Sequence, residues 1–158
     1  MTAFDDLLEA NDRFASQFTA GALPAPPARG LAVLTCMDAR ILPLAVFGLE
    51  SGDAHIIRNA GGRVTDDALR SLLVSTHVMD VRAIAVIHHT ECGMTKFTDQ
   101  ELQERTGAAH LDFRAIADAD AALRDDVATL CESSLFPDGT EIHGFEYDVR
   151  TGRLRPVV

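Results

Sequence analysis

The sequence has few cysteines, few basic residues and no long apolar run, and each shortage excludes a class of protein. Three cysteines in 158 residues are too few and too widely spaced for a disulfide framework. No apolar stretch approaches the roughly 18 residues that a transmembrane helix needs, which excludes an integral membrane protein. The first residues include Asp5 and Asp6 instead of the positive charge that opens a signal peptide, so we expect a cytoplasmic location.

Basic residues are outnumbered by acidic ones. There are 14 Lys and Arg against 24 Asp and Glu, which gives a formal net charge of −10. A uniformly acidic surface repels nucleic acid and anionic lipid, so we expect neither nucleic acid nor a membrane as a partner. The 47% hydrophobic and 24% charged residues are typical of a globular protein, and the length suits a single domain over residues 1–158.

The first 30 residues are predicted to form an N-terminal arm. Residues 2–18 have helical spacing, with Thr2 as the N-cap and a mostly apolar stripe made of Phe4, Leu7, Leu8, Asn11, Phe14, Ala15 and Phe18. Residues 21–30 contain three prolines and are typical of an extended linker. The stripe must pack against something, either the chain's own core or a second subunit, and the sequence leaves both alternatives open.

Residues 31–158 alternate between short apolar strands and helices. Strands are predicted at 31–35, 54–58, 83–87 and 141–147, with an edge segment at 153–158. Helices are predicted after the capping residues Thr65 and Thr98, the second ending at Gly107, and over residues 112–135. Continuous apolar strands separated by helices indicate an α/β fold. We expect a central, mostly parallel β-sheet flanked by helices, with an N-terminal arm helix and a C-terminal antiparallel edge strand.

Two cysteines and a histidine follow two of the predicted strands. Cys36 follows the first strand, and His89 and Cys92 follow the third. Sites in parallel α/β sheets assemble where strands end, so these three side chains are expected to meet there. Thiolate and imidazole are preferred ligands of zinc, and three protein ligands leave the fourth position open, as a catalytic site requires. A cysteine after a strand is more often a small buried hydrophobe, but the conjunction, with Asp38 and Arg40 close by, favours a metal site.

The segments Cys36-Met-Asp-Ala-Arg40 and His89-Thr-Glu-Cys92-Gly93 together resemble the zinc-site signature of the β-class carbonic anhydrases. The stretches 52–71 and 144–152 are also similar to that family, closest to its short bacterial members. The resemblance implies one zinc per subunit, held by Cys36, His89 and Cys92. It also implies the reversible hydration of carbon dioxide to bicarbonate and a proton by zinc-bound hydroxide.

The resemblance assigns catalytic roles to Asp38 and Arg40. In an open state Arg40 holds Asp38, which accepts a hydrogen bond from the hydroxide and orients it. In a closed state Asp38 is itself the fourth zinc ligand. The structural alternative is a solvated ion pair that only steadies the loop.

By the same resemblance, Gly61 and Gly62 line the carbon dioxide pocket, because glycine lets backbone approach a small ligand closely. Val64 is a candidate wall of that pocket, and Phe14 and Phe18 could contribute to it from a partner's arm. The alternative for the glycines is a tight turn before the helix that Thr65 caps.

The remaining histidines and the third cysteine carry no motif. We expect His55 to be a hydrogen-bonded core residue, His88 to lie beside the site or on the surface, and Cys131 to fill the core. Residues 79–81 depart from the family, many of whose members carry a glycine in this connection.

Two other functions stay open. The resemblance includes relatives that hydrolyse carbon disulfide or carbonyl sulfide on the same zinc site, where pocket access and oligomer geometry set the specificity. The third interpretation is a non-catalytic zinc or redox protein, in which Cys36 and Cys92 respond to oxidation and Asp38 permanently closes the site. Arg40 argues against it, because a counter-ion that can take Asp38 off the metal suits a site that opens. The resemblance further implies a homodimer formed through the N-terminal helix and a sheet edge, or a tetramer of paired dimers.

Overall fold

A five-stranded sheet organises the chain. The computed structural model describes residues 3–158, with only the backbone of Ala3, so the expected Thr2 cap lies outside the described residues. The strands are β1 (Leu31–Cys36), β2 (Ala54–Asn59), β3 (Ala83–His89), β4 (Glu141–Tyr147) and β5 (Leu154–Pro156). Their order is β2-β1-β3-β4-β5, in which β1 to β4 are mutually parallel and β5 is antiparallel to β4. The predicted α/β fold class is confirmed.

Two core clusters lie on opposite faces of this sheet, because successive side chains of a strand point to opposite sides. On one face, Leu34 of β1 and Val86 of β3 pack with Leu72 and Leu123. The helices α3 (Asp66–Val78) and α5 (Ala119–Cys131) supply these two leucines. On the other face, Val33, Ala85 and Ile87 pack with half-buried residues, among them Leu31, Phe47, Ile56, Phe145 and Leu154. Phe47 ends the short helix α2 (Pro43–Phe47).

Three predicted helix ends are confirmed, whereas the helix predicted over residues 2–18 already ends at Ala15. Thr65 caps α3 by accepting a hydrogen bond from the Ala68 N–H, and Thr98 forms a capping box with Glu101 at the start of α4 (Asp99–Thr106). The left-handed Gly107 ends α4. None of the helices within residues 3–158 has both the length and the apolar character that crossing a membrane requires.

The N-terminal helix α1 (Ala3–Ala15) does not pack on the core of its own chain. Phe4 is 74% exposed, Leu8 67% and Phe14 63%, although they share the apolar stripe. Of the two alternatives that the sequence leaves open, packing on the chain's own core is therefore wrong.

The helix predicted over residues 112–135 is wrong at both ends, for its first seven residues and for its last four. Helix α5 begins only at Ala119, where Asp118 caps it by accepting a hydrogen bond from the Ala121 N–H. Arg114 has a left-handed φ of 53°, which no α-helix contains. The Asp99 carboxylate accepts hydrogen bonds from the Phe113 N–H (3.0 Å) and the Ala115 N–H (2.7 Å), so these amides are satisfied outside a helix.

Two smaller expectations have clear outcomes. Cys131 is exposed instead of core-filling, because it is the last residue of α5 and its neighbour Leu130 takes the buried position. The departure at residues 79–81 affects the backbone: Asp80 adopts φ 57°, a conformation that glycine adopts without strain. Asp tolerates this conformation better than most residues, so the turn forms without glycine.

Candidate metal centre

The ends of β1 and β3 bring Cys36, His89 and Cys92 together. One ligand atom from each residue lies within 4.8 Å of the other two, and all three residues are buried. The two Sγ atoms are 3.9 Å apart. Two sulfurs bound to one zinc at about 2.3 Å in tetrahedral geometry lie about 3.8 Å apart, so the spacing fits a shared ion. Among residues 3–158, no other group of three His, Cys, Asp or Glu side chains has a spacing that could hold a metal ion.

The ring of His89 is oriented for metal binding. Its Nδ1–H donates to the carbonyl of Thr90 at 2.9 Å, which leaves a lone pair on Nε2. Nε2 is buried and has no hydrogen-bond partner among the described residues. A buried, unpaired acceptor costs free energy, and a cation between His89 and the two sulfurs would satisfy it.

A hydrogen bond couples the two thiols. The hydrogen bond from Cys92 lowers the pKa of Cys36 to about 4, whereas the same bond and burial raise the pKa of Cys92. A divalent cation stabilises thiolates, so it would allow both sulfurs to ionise. The sulfur spacing, the unpaired nitrogen and this thiol chemistry together fit zinc.

A carboxylate held by an arginine lies beside the three ligands. Arg40 donates to Asp38 from Nε (2.9 Å), from one terminal nitrogen (2.7 Å) and from its backbone N–H (2.9 Å). These hydrogen bonds keep the pKa of Asp38 well below its ordinary value. Asp38 Oδ2 is 3.9 Å from His89 Nε2, so the carboxylate reaches the space that the ligands enclose. The pairing is the one that the sequence predicts for the open state.

Two residues that sequence reasoning missed support this loop. Arg58 of β2 donates to the carbonyls of Cys36 (3.0 Å) and Asp38 (2.7 Å), which fixes the backbone that carries both. Glu91 lies between the ligands His89 and Cys92 with a left-handed φ of 55°, and its carbonyl accepts a hydrogen bond from Arg40 at 3.2 Å. Its carboxylate pairs with Arg40 at 3.5 Å. The partners are distant in sequence, so no local pattern signals them.

The glycine turn lies directly against the metal centre. Gly61 and Gly62 have φ values of 82° and 68°. A Cβ on Gly62 would lie 2.9 Å from the backbone N of Cys36 and 3.0 Å from the carbonyl oxygen of Ile87. The turn therefore fits between the two strand ends that carry the ligands, and only glycine fits there.

Apolar residues that the sequence did not suggest pack around the ligand cysteines. Val64 is buried, but it packs in the cluster of Leu34 and Leu72. The ligand cysteines cluster instead with Ile41, Ile116 and Ala122, and Met94 packs against them. The sequence did not indicate Ile116 as a pocket residue, because a helix is predicted for its segment.

His55 and His88 have hydrogen-bond partners outside the group of ligand atoms. His55 is half-buried and bonds Ser75 Oγ at 2.9 Å and the carbonyl of Ala25 at 3.3 Å, as expected of a hydrogen-bonded core residue. His88 is 3% exposed, so of its two expected locations the surface is wrong.

A parallel α/β sheet with a buried Cys₂His group at the carboxyl ends of its strands defines a metalloprotein of the α/β class. Comparison with known proteins identifies the family. The family model for carbonic anhydrase matches residues 31–134. The chain is 39% identical to β-carbonic anhydrase 1 of Mycobacterium tuberculosis, over 99% of both chains. A carbonic anhydrase structure from Streptococcus mutans superposes with a TM-score of 0.92 at 40% identity, covering 100% of this chain and 99% of that one.

The chain belongs to the β-carbonic anhydrase family, an enzyme family that depends on zinc. It is also 35% identical to a carbon disulfide hydrolase of an Acidianus species, over 82% of this chain and 78% of that protein. The family thus includes enzymes named for two different substrates.

Proposed function

We propose that this enzyme catalyses the reversible hydration of carbon dioxide to bicarbonate and a proton, with one zinc bound by Cys36, His89 and Cys92. The observation that carries the proposal is the Asp38 carboxylate, held by Arg40 beside a buried Cys₂His group. When bound there, zinc supplies the Lewis acidity that makes water a nucleophile near neutral pH.

The chain's own residues supply orientation. An ionised carboxylate only accepts hydrogen bonds, so Asp38 can hold a water or hydroxyl proton and direct the oxygen lone pair towards the substrate. Arg40 keeps Asp38 ionised and holds it beside the ligand atoms without letting it take the fourth position, which leaves that position free for solvent. If Asp38 turned towards the ligands, it would occupy that position itself.

The glycine turn supplies the substrate surface in this proposal. Carbon dioxide is small and apolar, so its pocket needs close backbone and apolar walls instead of many polar groups. Gly61 and Gly62 bring backbone beside the centre, and their N–H groups are candidate donors to a bicarbonate oxygen. Val64 stays a proposed wall, to which we add Ile116 and Met94, since both lie within 3.4 Å of a Cβ built on Gly61.

Replacing Asp38 tests this mechanism. Asp38→Asn has nearly the same shape but loses the charge that Arg40 holds, so we expect kcat to fall by at least roughly 10²-fold while zinc stays bound. The matched control is Asp120→Asn, which removes an exposed carboxylate that pairs with Arg124 away from the site. Zinc content and stopped-flow hydration rates provide the measurements. An Asp38→Asn enzyme with unchanged zinc and unchanged rate would refute the role of Asp38.

Hydrolysis of carbon disulfide is the second candidate, and the similarity to the Acidianus enzyme favours it. The same ligands and the same carboxylate would serve either substrate. Release of hydrogen sulfide from carbon disulfide, measured beside carbon dioxide hydration on one zinc-loaded preparation, separates the two activities. A non-catalytic zinc or redox role is disfavoured, because the three hydrogen bonds from Arg40 keep Asp38 off the ligand position.

We further propose that the enzyme is a homodimer in which α1 packs on the partner. Two apolar surfaces support this arrangement: the exposed stripe of α1, and the sheet face where Ile56, Phe145 and Leu154 are only half-buried. Phe14 and Phe18 would then reach towards the partner's substrate pocket, and pairing of dimers would give a tetramer. A cytoplasmic location and a single domain over residues 1–158 stay predictions.

A further inference from the structure

The buried carboxylate of Asp126 connects three parts of the molecule. Asp126 lies on α5 and is 0% exposed. Its Oδ2 accepts hydrogen bonds from Arg63 Nε at 2.6 Å and from His88 Nε2 at 3.1 Å. Its Oδ1 accepts from the Val64 N–H at 3.2 Å. One carboxylate of the helix therefore binds the chain just after the glycine turn and the β3 residue that precedes His89.

The carboxylate is charged in this setting. Burial alone would raise the pKa of Asp126, but the hydrogen bonds from His88 and Arg63 outweigh burial and hold the pKa below its ordinary value. Arg63 is itself buried, with a side chain 7% exposed, and Arg114 lies 3.8 Å from Oδ1. Since a carboxylate only accepts, the bond to His88 also fixes the proton of that ring on Nε2.

The position of the turn is coupled to the metal ligands through close contact. The space above Gly62 is bounded by the Cys36 N and by the Ile87 carbonyl, two residues before His89. Asn59 restrains the turn locally, by accepting from the Arg63 N–H at 2.8 Å and donating to the Arg63 carbonyl at 2.7 Å. Asp126 adds a second restraint, because from α5 it accepts a hydrogen bond from the Arg63 side chain. A turn that moves must move the backbone of a ligand with it, because packed atoms transmit small displacements.

We propose that Asp126 is a positioning residue for the metal centre: through Arg63, Val64 and His88 it fixes the glycine turn and the end of β3 against the ligands. The effect on catalysis rests on the function proposed above, whereas the effect on the metal site does not. Asp126 touches neither metal nor substrate, and it acts through the backbone of its three partners.

A purely structural ion pair would behave differently. It would lower the stability of the fold when broken, yet the folded, metal-loaded site would be unchanged. A positioning residue also changes the geometry and affinity of the bound metal, because displaced supporting groups typically weaken metal binding by about 10- to 100-fold. Visible spectra of the cobalt-substituted protein report ligand geometry directly and separate the two cases.

The experiment compares Asp126→Asn with Asp125→Asn, a substitution at the neighbouring exposed position of α5. For Asp126→Asn we expect a shifted Co²⁺ spectrum, zinc affinity about tenfold or more weaker, and kcat lower by a similar factor with little change in KM. Asp125→Asn should match the unsubstituted enzyme in all these measurements. A folded Asp126→Asn enzyme with the original Co²⁺ spectrum and zinc affinity would overturn the proposal.

A second variant covers the case in which Asp126→Asn does not fold. The double substitution Arg63→Met with Asp126→Leu replaces the buried ion pair by apolar groups, an exchange that proteins often tolerate. It still removes the hydrogen bonds that Asp126 accepts from Val64 and His88, so it should show the same spectral shift and weaker zinc binding. An unaltered spectrum would overturn the proposal. Neither readout needs a substrate, so a failure of carbon dioxide hydration would refute the proposed function and leave this test intact.

Discussion

At the scale of single residues, the site depends on backbone as much as on side chains. Cys36, His89 and Cys92 could be predicted because each lies at or just after the end of a strand and their residue types have one shared chemistry. Arg58 and Asp126 could not, because each acts on residues that are distant in sequence or through backbone atoms. A polar residue on an amphipathic helix such as α5 is usually solvent-facing, so nothing local marks Asp126 as buried.

Gly62 offers the sharpest test at this scale. Gly62→Ala adds a Cβ at 2.9 Å from the Cys36 N, in addition to the left-handed φ. We expect destabilisation by about 1–2 kcal/mol from the backbone conformation and about 1–3 kcal/mol more from crowding. Because the displaced atoms belong to a ligand, zinc affinity should fall as well. Denaturant unfolding and zinc titration provide the measurements.

The control for Gly62 is Gly139→Ala. Gly139 has a similar φ of 81°, but nothing lies within 4 Å of its Cβ position. The Gly139→Ala variant should lose only the unfolding free energy that the left-handed backbone conformation costs, and its zinc binding should be unchanged. Equal behaviour of the two variants would mean that the close approach at Gly62 has no role in the metal centre.

At the scale of elements, alternation of apolar strands and helices was sufficient to predict the parallel sheet, since both signals are local. The error at residues 112–118 has a physical reason. Composition there favours a helix, but the hydrogen bonds that the Phe113 and Ala115 amides donate to Asp99, together with the cap at Asp118, hold the segment in an irregular path. That path delivers Ile116 to the cluster of the ligand cysteines, and its amide bonds the Met94 carbonyl at 3.0 Å.

The anchor at Asp99 predicts a pH dependence. The hydrogen bond from the Ala115 N–H, supported by that from Phe113, outweighs burial and lowers the pKa of Asp99 below its ordinary value of 3.8. A depressed pKa means that the stabilisation is complete above the ordinary value and is lost as the pH falls through the lower, folded value. Asp99→Asn should therefore cost about 1 kcal/mol at pH 7 and progressively less below about pH 4.

Urea unfolding of both proteins at several pH values measures this difference. Amide hydrogen exchange at Phe113 and Ala115 checks that the loss is local to the segment. A difference in unfolding free energy that stays constant down to pH 2 would show that the charge of Asp99 does not contribute.

At the scale of the whole molecule, a single chain leaves two apolar surfaces unburied, one on α1 and one on a face of the sheet. Contiguous exposed apolar surface is typical of protein interaction sites. The helical periodicity of residues 2–18 predicts the stripe, but periodicity reports only which face is apolar and not what covers it. The structure decides against the chain's own core, and a second copy remains the proposal.

Charging the stripe tests the dimer. Leu8→Glu places a carboxylate on a face that the proposed dimer buries, and a buried unpaired charge is costly. We expect the mass in light scattering to fall from a dimer towards the 17.0 kDa of one chain, with the fold intact by circular dichroism. Val78→Glu is the control, since Val78 is 64% exposed on α3, away from α1. A native protein that is already monomeric would contradict the arrangement.

The most direct test of the whole account is the rate of carbon dioxide hydration by the zinc-loaded protein at alkaline pH, followed by stopped flow and normalised to bound zinc. The account predicts about one zinc per chain and a hydration rate far above that of the buffer, lost when zinc is removed by a chelator and restored when zinc is returned. A folded protein that holds its zinc on Cys36, His89 and Cys92 and yet does not exceed the buffer rate would contradict it.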